Sequence, residues 1–228
     1  MALGGALALY LGSGFPDIAA SNPGIAKLFS ALAFPVGLFL IVMFGGELFT
    51  GNNAVLMSGL LNKRVSAVKV LCNWSLVWAS NFVGALLVST FLIYAGGLLD
   101  VEPYNSAIRN IAITKASLDP LTTFVRGIGA NWCVCLAVWL SFGCSTIGQK
   151  AVAVWIPVAA FVALGFEHCI ANMFYLPCGI MAGAEIPVVD LASNLLFSTL
   201  GNIVGGAVFV GLLYNRLYSR SDSGHLPQ

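Results

Sequence analysis

The chain has 228 residues, of which 59% are hydrophobic and only 8% are charged, and its mean hydropathy is +0.92. Soluble domains carry about 25% charged residues, so a chain this apolar is expected to lie in a lipid bilayer. The net charge of only +1 excludes the strong positive field that a nucleic-acid partner requires.

Hydropathy predicts an all-α, multi-pass membrane protein with one transmembrane domain over residues 1–228. Its six apolar spans lie near residues 1–15, 25–61, 66–98, 119–143, 151–184 and 190–218. The first span is shorter than the ~20 residues that a membrane helix needs, and no basic segment of a signal peptide precedes it. We therefore expect the beginning of a first membrane helix to be missing before Met1.

The second and fifth spans are each too long for one helix and too short for two helices with a proper loop. Glycine and polar residues interrupt them at 45–53 and 165–172, and the ionisable groups in these interruptions are Glu47, Glu167 and His168. Backbone leaves a helix at membrane depth only where it is buried in protein or lines a cavity. The second and fifth helices are thus predicted to be broken, and paired breaks of this kind point to a translocation site.

The two halves of the chain repeat one another. The pattern Asn-x7-Asn-x-Val-Gly begins at Asn73 and again at Asn194, an offset of 121 residues. Nearly the same offset relates the Glu47 segment to the Glu167 segment, although chance recurrence of Asn and Gly in apolar helices is the simpler alternative for the Asn pattern alone. Because each half holds three spans, we expect the repeats, about 1–98 and 119–218, to insert in opposite orientations.

Loop charges orient the protein in the cell membrane. Basic residues on one side of the membrane, with Asp222 the only acid nearby, are Lys63, Arg64, Lys69, Lys150, Arg216 and Arg220. Acidic residues on the other side, with fewer cations, are Asp17, Asp100, Glu102, Asp119, Glu185 and Asp190. The positive-inside rule therefore predicts a cytoplasmic C-terminus.

Cysteine placement argues against a metal site or a disulfide framework. All six lie in apolar stretches, namely Cys72, Cys133, Cys135, Cys144, Cys169 and Cys178, where small buried thiols pack like alanine. The sequence also contains no phosphate loop or nucleotide-binding pattern. We expect neither a cofactor nor a metal.

His168 is the first candidate functional residue. Ionisable side chains inside the membrane are functional candidates by default, and an ordinary pKa of about 6.5 suits imidazole to proton exchange. A neutral histidine that links two helices is the structural alternative. Glu47 is a negative charge in the same layer. We expect it to pair with helix-end amides and to face away from the pathway; the alternative is that it is protonated.

Four segments together resemble the formate/nitrite transporter family over roughly residues 3–218. They are ELFTGNN (47–53), GANWCVCLAVW (129–139), GFEHCIANMFYLP (165–177) and TLGNIVGGAVFVGL (199–212). The resemblance implies six helices per protomer in an aquaporin-like inverted 3+3 repeat. It also implies a homopentamer with one pore in each protomer.

The resemblance also implies roles for individual residues. His168 would be the pore-central histidine in contact with the Thr50 hydroxyl, and the amides of Asn131 and Asn172 beside it could donate hydrogen bonds to oxyanions or link helices. By hydropathy, Lys115 is a flanking lysine at the start of the fourth span. The resemblance implies instead that it lies in an outer vestibule and pairs with Glu167. Two apolar constrictions would be formed by Phe34, Leu38, Leu48, Phe49 and Phe161.

The expected function is a passive or proton-coupled channel for small monovalent anions, formate or nitrite first. Hydrosulfide and other short monocarboxylates are handled by similar proteins, and the motifs disagree, since ELFTG and ANW lean towards nitrite-type members and CIANMFYLP towards formate-type ones. An aquaporin-like neutral-solute channel is the alternative, but it expects two NPA motifs where this chain has only Asn22-Pro23-Gly24. Glu167, His168 and Cys169 are not expected to form an enzyme site, because adjacent helical residues point about 100° apart.

Overall fold

The computed structural model describes residues 1–219, and Arg220 and Asp222 of the predicted cytoplasmic tail lie outside them. The described chain is all-helical. Its α-helices are α1 (Ala2–Ser13), α2 (Pro16–Ser21), α3 (Pro23–Ala33), α4 (Val36–Phe44), α5 (Phe49–Leu61), α6 (Ala67–Leu87), α7 (Tyr104–Ala116), α8 (Pro120–Phe142), α9 (Ile147–Leu164), α10 (Cys169–Met181), α11 (Val188–Ile203) and α12 (Leu213–Ser219). Of two π-helical segments, Val88–Tyr94 continues α6 and Val204–Leu212 joins α11 to α12.

Several of these helices suit a bilayer by length and composition. Five helical stretches of the described chain are long and apolar enough to cross it: Pro23–Phe44, Ala67–Tyr94, Pro120–Phe142, Ile147–Leu164 and Val188–Tyr218. Large apolar side chains such as Val68, Leu76 and Phe91 are exposed along them, which lipid or a neighbouring copy would cover. The prediction of an all-α, multi-pass membrane protein is confirmed.

Helices α4 and α9 end in the same way. Each stops at a glycine in the left-handed region, Gly45 with φ 67° and Gly165 with φ 70°, a conformation that glycine adopts without steric cost. Three residues later the chain is extended, at Leu48 in one half and at His168 in the other, and a new helix begins. The residues between, including Glu47 and Glu167, thus lie outside the helices.

Lys115 does not lie where hydropathy placed it. It belongs to the last turn of α7, a helix that the hydropathy analysis missed because its mixed polarity resembles a loop. Helix α8 begins only at Pro120, with the Asp119 carboxylate accepting from the Thr122 amide at 2.9 Å as the helix cap. Helix α7 packs against α10, and this carries Lys115 towards the segment that precedes α10.

Candidate functional site

His168 is held as the N-cap of α10. Its Nδ1 atom accepts a hydrogen bond from the backbone amide of Ala171 at 3.1 Å. A ring that accepts at Nδ1 is neutral and carries its proton on Nε2, and Nε2 lies 3.0 Å from Oγ1 of Thr50. The imidazole therefore donates to the Thr50 hydroxyl, which keeps its own hydrogen for another acceptor.

Thr50 and His168 bring two helix N-termini together. Thr50 is the second residue of α5, and His168 is the residue before α10. Both side chains are almost fully buried, at 0% and 1% exposure. Because a helix N-terminus carries about half a positive charge, this contact lies in a region of positive potential.

Asn131 supports Thr50 from α8. Its Nδ2 group donates to the carbonyl of Thr50 at 3.1 Å, to the carbonyl of Asn202 at 2.7 Å and to Oδ1 of Asn53 at 3.0 Å. A Cβ atom on Gly206 would lie 2.5 Å from this nitrogen, so glycine is required for the approach. The two amide hydrogens of Asn131 are thus used within the protein. Of the two predicted roles, donation to an oxyanion and a link between helices, the structure favours the link.

Glu167 is the centre of a buried polar cluster. Its Oε1 accepts from Nζ of Lys115 at 2.8 Å, and its Oε2 accepts from Nδ2 of Asn172 at 2.7 Å and of Asn194 at 3.4 Å. Asn194 also donates to the carbonyl of Lys115 at 2.9 Å. A carboxylate that is 3% exposed needs this set of donors, because an unpaired buried charge costs several kcal/mol.

Asn202 fixes the backbone of the same segment. Its Oδ1 accepts from the Cys169 amide at 2.9 Å, and its Nδ2 donates to the carbonyls of Glu167 at 2.9 Å and Gly127 at 2.8 Å. We call Glu167 with Asn172, Asn194 and Asn202 the Glu167 cluster. This cluster holds the non-helical backbone that places His168 at the N-terminus of α10.

The first half of the chain contains the matching set, the Glu47 cluster of Glu47, Asn52, Asn73 and Asn81. Asn81 accepts from the Phe49 amide at 3.0 Å and donates to the carbonyl of Glu47 at 3.1 Å. Asn52 donates to Oε2 of Glu47 at 2.5 Å and to Oδ1 of Asn73 at 2.9 Å. The prediction that Glu47 pairs with helix-end amides is therefore wrong, since a side-chain amide holds its carboxylate.

His168 itself lines one cavity, and Leu48 and Gly51, which flank Thr50 in the chain at positions 48 and 51, line a second. We call the first the His168 cavity; it measures about 460 Å³, and Phe34, Phe161 and His168 line it. The Phe34 and Phe161 rings meet edge to face with centroids 5.5 Å apart, and the Phe161 centroid lies 5.8 Å from that of His168. Two buried aromatic rings thus stand beside the imidazole.

The second is the Leu48 cavity, which measures about 370 Å³ and is lined by Leu38, Leu48, Asn52 and Lys150 among others. Leu38 and Leu48 are 0% and 4% exposed. Phe49 lines neither cavity; its ring stands edge to face with Trp74 at 6.5 Å in a separate surface pocket. The structure brings together four of the five predicted constriction residues around the two cavities.

Sequence reasoning missed two residues of the His168 cavity, Lys27 and Arg126. Each is a single cation near the end of an apolar helix, which is the usual position of an interfacial lysine or arginine. Only their placement against His168 in three dimensions distinguishes them.

The sequence of the chain is similar to those of known transporters and channels. The sequence profile described as Formate/nitrite transporter matches residues 1–216. The chain is 42% identical over 228 residues to a "Probable formate transporter" of Methanothermobacter thermautotrophicus, covering 94% of this chain and 83% of the relative. It is 39% identical over 201 residues to "Formate channel BtFdhC" of Bacillus thuringiensis, covering 87% of this chain and 76% of the relative.

Comparison of the fold with solved structures indicates the same family. A solved structure described as "Pentameric formate channel with formate bound" matches with a TM-score of 0.80 at 32% identity, covering 96% of this chain and 93% of that one. These relatives are transporters or channels, so the prediction that this chain is not an enzyme is confirmed. The resemblance seen in the sequence is confirmed too: the chain belongs to the formate/nitrite transporter family.

Proposed function

We propose that this protein is a channel that passes small monovalent anions across the cell membrane and that formate is its main substrate. The observation that carries the proposal is the buried contact between His168 and Thr50 at 3.0 Å, with the His168 cavity on the histidine and the Leu48 cavity at the chain neighbours of Thr50. The family membership and the formate-bound structural relative support it.

The architecture that we propose has six membrane helices per protomer in an inverted 3+3 repeat. In it α4 with α5, and α9 with α10, are the halves of two broken helices that meet at mid-membrane. The two glycine caps, Gly45 and Gly165, support this arrangement, because each lies three residues before the extended residue that precedes the next helix. The matching Glu47 and Glu167 clusters support it as well. We infer a homopentamer as well, because a relative is described as pentameric and large apolar side chains are exposed.

The apolar constrictions explain why a donor is needed at the centre. In the proposed pathway Phe34 and Phe161 form one constriction, and Leu38 and Leu48 form the other. An anion that enters sheds water, and a full charge at this depth costs about 3 kcal/mol or more. The Nε2 proton, the Thr50 hydroxyl and the two helix N-termini then replace part of the lost hydration.

The cap geometry limits what His168 does to the anion. The neutral ring holds one proton, on Nε2, while Nδ1 accepts from the Ala171 amide. Giving that proton away entirely would leave an imidazolate anion, so the geometry supports sharing of the proton through a hydrogen bond. An anion that shares a proton in this way crosses the constrictions with a reduced charge.

The proposal is tested by flux through the purified protein in liposomes. We expect rapid formate flux, slower flux of bulkier monocarboxylates, and no conduction of glycerol or sodium. Glycerol conduction without formate conduction would instead indicate a neutral-solute channel. His168→Asn keeps a cap acceptor and an N–H donor, so we expect this variant to retain the pH dependence of formate flux; loss of that dependence would show that the ring itself titrates during transport.

A further inference from the structure

Four charged side chains line the His168 cavity: Lys27, Lys115, Arg126 and Glu167. Two of them cancel, because Lys115 and Glu167 form a salt bridge at 2.8 Å. Within residues 1–219, neither Lys27 nor Arg126 has an acidic partner within salt-bridge distance. The net positive charge of this cavity therefore comes from Lys27 and Arg126.

Lys27 and Arg126 both lie beside the segment that carries His168, and both line the cavity with Gly165 and Glu167. Nζ of Lys27 lies 3.4 Å from the position that a Cβ atom would take on Gly165, the cap of α9. The backbone carbonyl of Arg126 accepts from the Glu167 amide at 3.3 Å. Lys27 approaches from α3 and Arg126 from α8, so the two charges reach the cavity from different helices.

We propose that Lys27 and Arg126 are the residues that recruit the anion, and that Lys115 serves instead to neutralise Glu167. This inference rests on the proposed function, since it names the charges that feed the anion pathway. Both recruiting side chains are exposed, as an entry site requires. The side chain of Lys115 is only 17% exposed, and its charge is spent on Glu167.

The physical effect is an increase in the local concentration of anions at the cavity mouth. A cleft with charges of one sign and walls of low dielectric constant focuses the field and raises the counter-ion concentration, by about tenfold or more in strong cases. Salt screens exposed charges over about 8 Å at physiological ionic strength. Recruitment by Lys27 and Arg126 should therefore weaken as salt is added.

The experiment measures formate flux against formate concentration in right-side-out and inside-out membrane vesicles, so that each mouth of the channel is supplied separately. The variants are Lys27→Gln, Arg126→Gln and the double variant. Arg109→Gln is the matched control, because Arg109 is an exposed cation on α7 that does not line the cavity. Detergent-solubilised variants are compared by size-exclusion profile to establish that they fold.

We expect the double variant to raise the half-saturation concentration about 5- to 10-fold in one vesicle orientation at low ionic strength. The rise should fall below about twofold in strong salt, and the maximal flux should change less than the half-saturation concentration does. Lys27→Arg, which keeps the charge, should behave as the unmodified protein. Arg109→Gln should leave the half-saturation concentration unchanged.

Two results would overturn this inference alone. One is an unchanged half-saturation concentration for the double variant in both orientations, and the other is an equal rise for Arg109→Gln, which would indicate general surface charge. If instead the unmodified protein passes no formate in either preparation, the proposed function itself fails.

Discussion

The Glu47 and Glu167 clusters use the same contacts to hold two different pieces of chain. In each, one asparagine fixes the amide that opens the following helix, Phe49 for Asn81 and Cys169 for Asn202. In each, a second asparagine meets an amide side chain that also holds the glutamate carboxylate. The repeated residues are therefore a scaffold for non-helical backbone, and they explain why both halves keep the Asn pattern.

The clusters differ where the scaffold ends. The residue after the glutamate is Leu48 in the first half and His168 in the second, and both are extended. Glu167 is buried and paired with Lys115, whereas Glu47 is exposed and, within residues 1–219, has no salt-bridge partner. Positions that repeat thus stabilise the fold, and positions that depart from the repeat supply the chemistry.

Removing Lys115 should have the largest effect on stability. Lys115→Met leaves the Glu167 carboxylate buried with only amide donors, and a lost partner of a buried charge costs about 3–5 kcal/mol. We expect that decrease in the free energy of unfolding, measured by chemical unfolding of the purified protein in detergent at pH 7. The double variant Lys115→Met/Glu167→Gln removes both charges and should recover most of it. A single variant as stable as the unmodified protein would contradict the pairing.

Making the second cluster resemble the first should abolish most transport. His168→Leu places in the second half the residue that the first half has at the matching position, so the extended backbone should persist. We expect formate flux in liposomes to fall about 100-fold, which corresponds to roughly 2.7 kcal/mol, because the Nε2 donor is lost. Loss of the cap to Ala171 should cost only about 1 kcal/mol of stability. Flux within twofold of the unmodified protein would exclude His168 from the pathway.

The two anchoring asparagines provide a smaller test of the scaffold. Asn202 is 0% exposed and makes three hydrogen bonds, whereas Asn81 is partly exposed and makes two. Because a buried group left without its partner costs about 1–3 kcal/mol, Asn202→Ala should lower the free energy of unfolding by about 2 kcal/mol. Asn81→Ala should lower it by about 1 kcal/mol. Equal losses would mean that burial does not distinguish the clusters.

The sequence predicted the helical membrane fold because spans of apolar residues are visible without knowledge of their neighbours. It predicted the contact of His168 with Thr50 and the pairing of Lys115 with Glu167 through the family resemblance. Chain spacing alone would not have brought residues 118 positions apart together. The family, once recognised, contributed more to the site than hydropathy did.

The missed features have a common physical cause. Hydropathy does not predict helix α7, because its moderate polarity gives no apolar span, and it therefore misplaces Lys115. Lys27 and Arg126 look like ordinary flanking cations until the fold turns them towards one cavity. The sequence predicts that the Glu47 carboxylate pairs with helix-end amides because a helix begins two residues later, but Oδ1 of Asn81 already accepts from the first of those amides, that of Phe49.

Glu47→Gln should have the smallest effect of these substitutions. Its comparison with Glu167→Gln tests most directly whether the two clusters differ in role. The Glu47 carboxylate is exposed, accepts from Asn52 and lacks a salt-bridge partner within residues 1–219, so a neutral amide of the same shape can keep that contact after rotation. Exposed charges contribute about 1 kcal/mol or less, and we expect stability to change by less than that and formate flux by less than about twofold. Glu167→Gln is the matched variant, and it should cost more, since the partly buried Lys115 ammonium would then lose its carboxylate partner. If Glu47→Gln instead disables transport while Glu167→Gln does not, the functional site lies in the first half, and the role assigned to the residues that depart from the repeat is reversed.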